Sequence, residues 1–238
     1  MRTLLLLQIP FTNDDANSQS AYIAGEYHIS DGPFESPQNF KRTNLFAKYR
    51  SLINNNTILT FSASTFGSSW NASGQVPTRA VEQGLIDRFG SIDDKEGGYT
   101  SRSNLNFELT KNLNSGNTIS NQIYYTDYRF ELYSNFTFFH EDSINGDMIK
   151  QKEHRNLYGY KSTFTHQGYF LGKTLSSSAG MGLRYDIIYN DELSHVAERD
   201  IFLNYLALGN VYQTNGNVFA SATIDLTPKL QVNPIVRY

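Results

Sequence analysis

Cysteine is absent from this 238-residue sequence, which removes disulfide frameworks, thiolate zinc sites and cysteine nucleophiles together. No apolar run is long enough to cross a bilayer as a helix. A strong excess of one charge is missing as well. The 20 Lys and Arg nearly balance the 23 Asp and Glu, and no basic stretch interleaved with aromatics marks nucleic-acid binding. A Gly-x-Ser-x-Gly elbow is lacking, so a serine hydrolase has no foothold. Gly180-Met181-Gly182 lacks the third glycine of a dinucleotide fingerprint and sits in a strand pattern. His28, His140, His154, His166 and His195 show neither i, i+4 nor His-x-His spacing, which leaves no metal signature.

What is present points to strands. Sixteen Tyr and 16 Phe stand beside only 18% charged residues, a balance that favours strands over helices. One all-β unit fits the length. Segment after segment then divides with a period of two into an apolar and a polar face. Leu59, Phe61 and Ala63 alternate with Thr60, Ser62 and Ser64, and Leu105, Phe107 and Leu109 with Asn104, Asn106 and Glu108. Met181, Leu183, Tyr185 and Ile187 likewise oppose Gly180, Gly182, Arg184 and Asp186. About nine such strands are expected, of the two-faced kind that build membrane barrels. In 117–133 the apolar phase switches near Gln122, which predicts a β-bulge. At the N-terminus, Leu4 to Leu7 imitates a signal peptide, but Gln8 and Pro10 cut the apolar core short. A strand is the preferred reading there.

Connections alternate in length. Tight turns are expected at 52–56, 111–116, 168–174 and 227–229, and long loops at 31–41, 67–99, 134–153 and 190–216. That order suits short periplasmic turns and long extracellular loops. Tyr49, Phe66, Tyr99, Tyr133, Tyr158, Tyr189 and Tyr238 fall near the expected strand ends, where interfacial girdles lie. A water-soluble β-sandwich, for instance a carbohydrate-binding module, also wets one face and buries the other, and stays open as the alternative. Asp142, Asn145 and Asp147 around Gly146 suggest a calcium loop only loosely, and a polar turn is the simpler reading. The sequons at Asn55, Asn71 and Asn135 carry meaning only in a eukaryotic secretory pathway. No catalytic, cofactor-binding, metal or ligand-contacting residue is nominated, and no enzyme activity is expected. An enzymatic barrel would require a nucleophile–base pair, which the sequence does not place; loss of an activity on changing a lumen Ser or His, such as Ser178 or His166, would revive that reading.

The loop running from Trp70-Asn71-Ala72-Ser73-Gly74-Gln75-Val76-Pro77 through Gly84-Leu85-Ile86-Asp87-Arg88-Phe89-Gly90 to Gly97-Gly98-Tyr99 is more specific. It resembles the barrel part of the TonB-dependent receptors of bacterial outer membranes. Asp31-Gly32-Pro33-Phe34, Asp127-Tyr128-Arg129 and Asn145-Gly146-Asp147 match the same subgroup in the same order. The resemblance runs from about residue 20 to Tyr238.

It implies an antiparallel transmembrane β-barrel, here partial, because about nine strands line only part of a wall that needs about 22. Residues 1–238 would form one partial-barrel domain without a plug, a fragment of a receptor that binds a siderophore-like or other scarce nutrient and imports it with TonB energy. Its partners would be outer-membrane lipid, a plug, the remaining strands and the TonB system, with no cofactor. Leu45, Leu105, Phe107, Leu183, Ile187 and Ile224 would face lipid. Arg42, Lys48, Asn106, Glu108, Arg184 and Asp225 would face the lumen. Ala80 to Ile86 is expected to form a short helix capped by Thr78, with Glu82 in its first turn.

Overall fold

The computed structural model describes residues 1–10, 18–113 and 116–238. Its strands follow one another as β1 (Arg2–Pro10), β2 (Gln19–Ser30), β3 (Phe40–Asn54), β4 (Thr57–Asn71), β5 (Gly97–Asn112) and β6 (Asn117–Ser134). Then come β7 (Ile149–Phe170), β8 (Lys173–Ala197), β9 (Ile201–Thr227) and the three-residue strands β10 (Leu230–Val232) and β11 (Ile235–Arg237). One short helix, α1 (Thr78–Glu82), lies between β4 and β5.

All eleven strands belong to one antiparallel sheet, each paired with its sequence neighbour from β1 to β10, while β11 folds back onto β9. Up-and-down order is the simplest topology that hairpins generate. A sandwich needs a second sheet packed on the first. Among the described residues there is a single sheet, so the sandwich expectation is not met.

Register carries each face across the sheet. Phe61 pairs with Phe107, Phe107 with Ile123, Ile123 with Tyr160 and Tyr160 with Leu183, all on one face. The next row reads Ala63, Leu105, Tyr125, Tyr158 and Tyr185. Leu45, Leu105 and Leu183 are 52%, 48% and 54% exposed, so this face is apolar and uncovered. Ile187 and Ile224 share its parity but are half-buried. Arg42, Lys48, Asn106, Glu108, Arg184 and Asp225 stand on the opposite face by the same register.

Three expectations need correction. Residues 190–216 are not a long loop, because β8 and β9 run through them and only 198–200 connect the two. No register shift occurs at Gln122 in either pairing of β6. The apolar phase changes there because the surroundings change. Above Tyr125 the same face continues as Asp127, Arg129 and Glu131 without a bulge. Register shifts lie elsewhere, among them those between Leu52 and Asn54, between Lys152 and His154, and between Ile188 and Asp191, where Asn190 takes a φ of +50°. Finally, Tyr158 and Tyr189 lie inside long strands, because β7 and β8 extend well past the row of tyrosines.

The tight turns sit where expected. Leu171-Gly172 joins β7 to β8 with both residues at positive φ, the geometry of a two-residue hairpin whose twist matches its strands. Residues 228–229 connect β9 to β10. Of the turn expected at 111–116, residues 114 and 115 lie outside the described residues.

Candidate functional site

Among the described residues, the connections 31–39, 72–96 and 135–148 emerge at one end of the sheet, and there they pack on one another. Loop 31–39 meets loop 72–96 through the Glu35 N–H, which donates to the Phe89 carbonyl at 3.1 Å. The Phe34 and Phe89 rings lie edge to face, 6.0 Å apart. Asn71 N–H donates to the Gln38 carbonyl at 2.7 Å. Inside loop 72–96, Ser91 Oγ donates to the carbonyls of Ser73 and Asp93. Loop 135–148 joins in as Asn135 Nδ2 donates to Asp93 Oδ2 at 2.7 Å. It also receives β8, because Val196 N–H donates to the Met148 carbonyl at 2.9 Å. His195 Nε2 lies 2.6 Å from the Gly146 carbonyl oxygen.

The turn between β8 and β9 locks this assembly. Glu198 and Arg199 both take positive φ, which throws the Arg199 side chain across the neighbouring strand tops. Its Nη2 donates to the Glu96 carbonyl at 2.5 Å and to Asn71 Oδ1 at 3.2 Å, and its Nε donates to the Lys95 carbonyl. The guanidinium also rests over the Tyr133 ring, 5.3 Å from its centroid, a cation–π contact. Among the described residues, three of the four most enclosed gather at this end, with Ser194 at 0%, Val196 at 2% and Met148 at 3% exposure.

Carboxylates hold the loops in two ways. Asp147 accepts the backbone N–H groups of His140, Glu141 and Asp142. Burial alone would raise its pKa, but these donors win and draw it down to about 2. Asp142 is lowered by the backbone and side-chain donors of Asn145 and by the Ile144 N–H. The oxygens a calcium ion would need are thus engaged in capping the turn, as the polar-turn reading holds. Glu96 is the opposite case. It is 7% exposed, and desolvation, helped by the nearby Asp93, raises its pKa against the Asn135 N–H. Gly74, at φ +63°, makes room for it, since a Cβ there would stand 2.5 Å from Glu96 Oε1.

α1 is shorter than expected and is led in by Pro77, which offers no side-chain cap, so Thr78 is its first residue rather than its cap. No acidic residue occupies its first turn. Beside it opens a recess of about 470 Å³ lined by Phe34, Ser73, Val76, Thr78, Glu82 and Arg88.

The remaining sequence candidates are dispersed. Ser178 pairs with Thr165 on the polar face, at 3.2 Å between hydroxyl oxygens, whereas His166 has the opposite parity and binds Asn117. A nucleophile–base pair cannot form from the two. His154 lies 2.7 Å from Asp127 Oδ2 above the tyrosine row. Asn55 belongs to a turn at the other end of the sheet, while Asn71 and Asn135 serve the loop assembly. Arg199 carries no sequence signal, since its hydrogen-bond partners lie more than 100 residues away.

Along the polar face, side chains bond across strands. Asn104 Nδ2 donates to Ser64 Oγ, Gln122 Nε2 to Asn106 Oδ1 and Ser120 Oγ to Glu108 Oε1, at 2.6 to 2.9 Å. Glu26 gathers Arg2, Arg42 and Asn44. A face this polar is suited to a wet interior, and the uncovered apolar face to a medium without water.

No family model and no curated protein sequence matches this chain. Solved structures do. The ferric citrate transporter FecA in its unliganded form superposes with a TM-score of 0.74 at 11% identity, covering 99% of this chain and 34% of its own. The ferric-catecholate import receptor Fiu of E. coli K12, in its open form, gives 0.64 at 11%, covering 99% and 42%. The ferripyoverdine receptor of the outer membrane of Pseudomonas aeruginosa, bound to ferripyoverdine, gives 0.65 at 13%, covering 99% and 34%. The chain thus spans between a third and about two fifths of the length of these structures, which are transporters and receptors rather than enzymes. Its sheet has the fold of part of the antiparallel β-barrel of TonB-dependent outer-membrane receptors.

Proposed function

We propose that residues 1–238 act as one partial-barrel domain in the wall of an outer-membrane receptor that takes up a scarce extracellular ligand, siderophore-like in class, with energy from TonB. The observation that carries this reading is the pairing of an uncovered apolar face with a hydrogen-bonded polar face over a single up-and-down sheet. In water such an apolar face would aggregate, whereas in lipid it is satisfied. The polar face would line the lumen and meet a plug, the remaining strands would complete the wall, and the packed loops would meet the ligand outside the cell. Neighbouring folds whose names mention ferric citrate, ferric catecholate and ferripyoverdine support the ligand class, and one solved with pyocin S2 supports a protein-accessible outer end.

Membrane fractionation tests the reading. The chain is expected to stay with carbonate-washed outer membranes and to be released only by detergent. Recovery as a folded monomer in the aqueous fraction would overturn it.

A further inference from the structure

The polar face of β7 and β8 carries three glycines close together, at Gly159, Gly180 and Gly182. Two of them are roofed by a directly opposite aromatic ring. A Cβ on Gly159 would overlap the Tyr124 ring, and one on Gly180 would lie 2.6 Å from the Phe219 ring. Gly182 has only the flexible end of Asn217 beside it. The two rings fill the space over Gly159 and Gly180, and beside them, at Gly182, opens a recess of about 660 Å³ whose walls include Tyr124, Phe219 and Ile235.

Cations surround this recess. Lys161, Arg184 and Arg237 line it, together with the amides of Asn215 and Asn217, and no carboxylate does. Lys161 pairs directly with Gly182, and Arg184 lies two residues further along β8, which makes them diagonal neighbours about 7–8 Å apart at the backbone. Arg184 is held in place by Asp186, with Nε to Oδ1 at 2.8 Å and Nη2 to Oδ2 at 2.7 Å. Among the described residues Lys161 and Arg237 have no ion-pair partner. Asp186 is shared with Arg155 at 3.8 Å, and Arg155 is itself paired with Glu153. The local balance is therefore two uncompensated positive charges facing a cavity with amide donors and an aromatic wall.

We propose that this recess is a binding site for a small organic anion bearing two or three carboxylates. Lys161 and Arg237 would supply the charge, and Arg184, preset by Asp186, would supply a directed N–H. The amides of Asn215 and Asn217 would take further oxygens. The size of the recess suits a ligand of small-molecule dimensions. The inference rests on the reading that the polar face lines a water-filled lumen.

The test is calorimetric titration of the whole chain in detergent micelles at low salt, with tricarballylate as the probe and inorganic phosphate and a short polyglutamate peptide as comparisons. Tricarballylate is expected to bind, and the double variant K161Q/R237Q to lose about tenfold or more in affinity. K48Q, on the same face at a distance, should bind like the parent, and the strand signal in circular dichroism should match for all three. Equal binding by parent and double variant would overturn the site. So would tighter binding of phosphate, or of the peptide alone, which would assign the recess to a different anion or to an acidic protein segment. A chain that folds only in water would instead defeat the membrane reading itself, a failure seen in fractionation before any titration.

Discussion

The sheet and its looped end are stabilised in different ways. In the strands from β3 to β8 the apolar side chains point outward and stay exposed, so hydrogen-bond ladders and cross-strand pairs on the polar face hold the wall together. At the looped end the chain behaves like an ordinary globular protein, with Val196, Met148 and Ser194 enclosed and Arg199 tying three segments together. The wall depends on its surroundings to satisfy its apolar face. The looped end carries its own small core. Changes that act through the solvent should therefore separate the two regions, and changes that act through packing should stay where they are made.

The largest effect is expected in the wall. Leu183→Arg should cost about 2–4 kcal/mol on folding into liposomes if the position lies near the bilayer midplane, whereas Asn106→Arg on the opposite face should be far milder. Equal costs at both parities would remove the contrast between faces. Next comes overpacking. Gly159→Val places a side chain where the Tyr124 ring lies, and should cost about 1–3 kcal/mol by denaturant titration. Pairing it with Tyr124→Ser should recover part of the loss. A fully additive double variant would show that the ring and the glycine are not coupled.

The looped end is tested by Arg199→Ala, which removes charge-assisted hydrogen bonds worth about 1.5 kcal/mol or more. Hydrogen exchange should rise in 72–96 and 135–148 and stay unchanged in β4 to β6. A rise spread over the wall would mean that the two regions fold as one unit.

The smallest effect is a pH response confined to the loops. Glu96 has a raised pKa in the folded state, so folding takes up its proton more readily, and its burial penalty eases as pH falls through that raised value. Asp147, depressed to about 2 from 3.8, contributes stability above pH 3.8 that is lost as pH falls toward 2. Loop exchange should therefore slow slightly on mild acidification and accelerate below pH 4. Glu96→Gln should abolish the first change and leave the second.

Much of the wall was legible in the sequence because a period of two needs only local information. Residues 57–66 and 103–109 alternate cleanly and form strands with both faces as expected. Residues 190–216 misled because Gly209, Asn210, Asn215 and Gly216 have the composition of a turn. Pairing with β8 overrides that preference. The apparent bulge at Gln122 arose because face polarity follows depth as well as parity, and depth cannot be read from one strand alone. The helix cap failed locally, since Pro77 takes the position that a capping hydroxyl would need. At the looped end, the Phe34–Phe89 contact and the Arg199 contacts join residues far apart in the chain. Only the tertiary arrangement brings them together.

The central claim is that one face of this sheet meets lipid and the other water. Spin labels placed one at a time at 103–109 in the whole chain, reconstituted in lipid, test it most directly. Oxygen accessibility should peak at Leu105, Phe107 and Leu109, and a water-soluble nickel complex should reach Asn104, Asn106 and Glu108. The two profiles should alternate out of phase. Profiles in phase, or nickel reaching every position alike, would contradict the account.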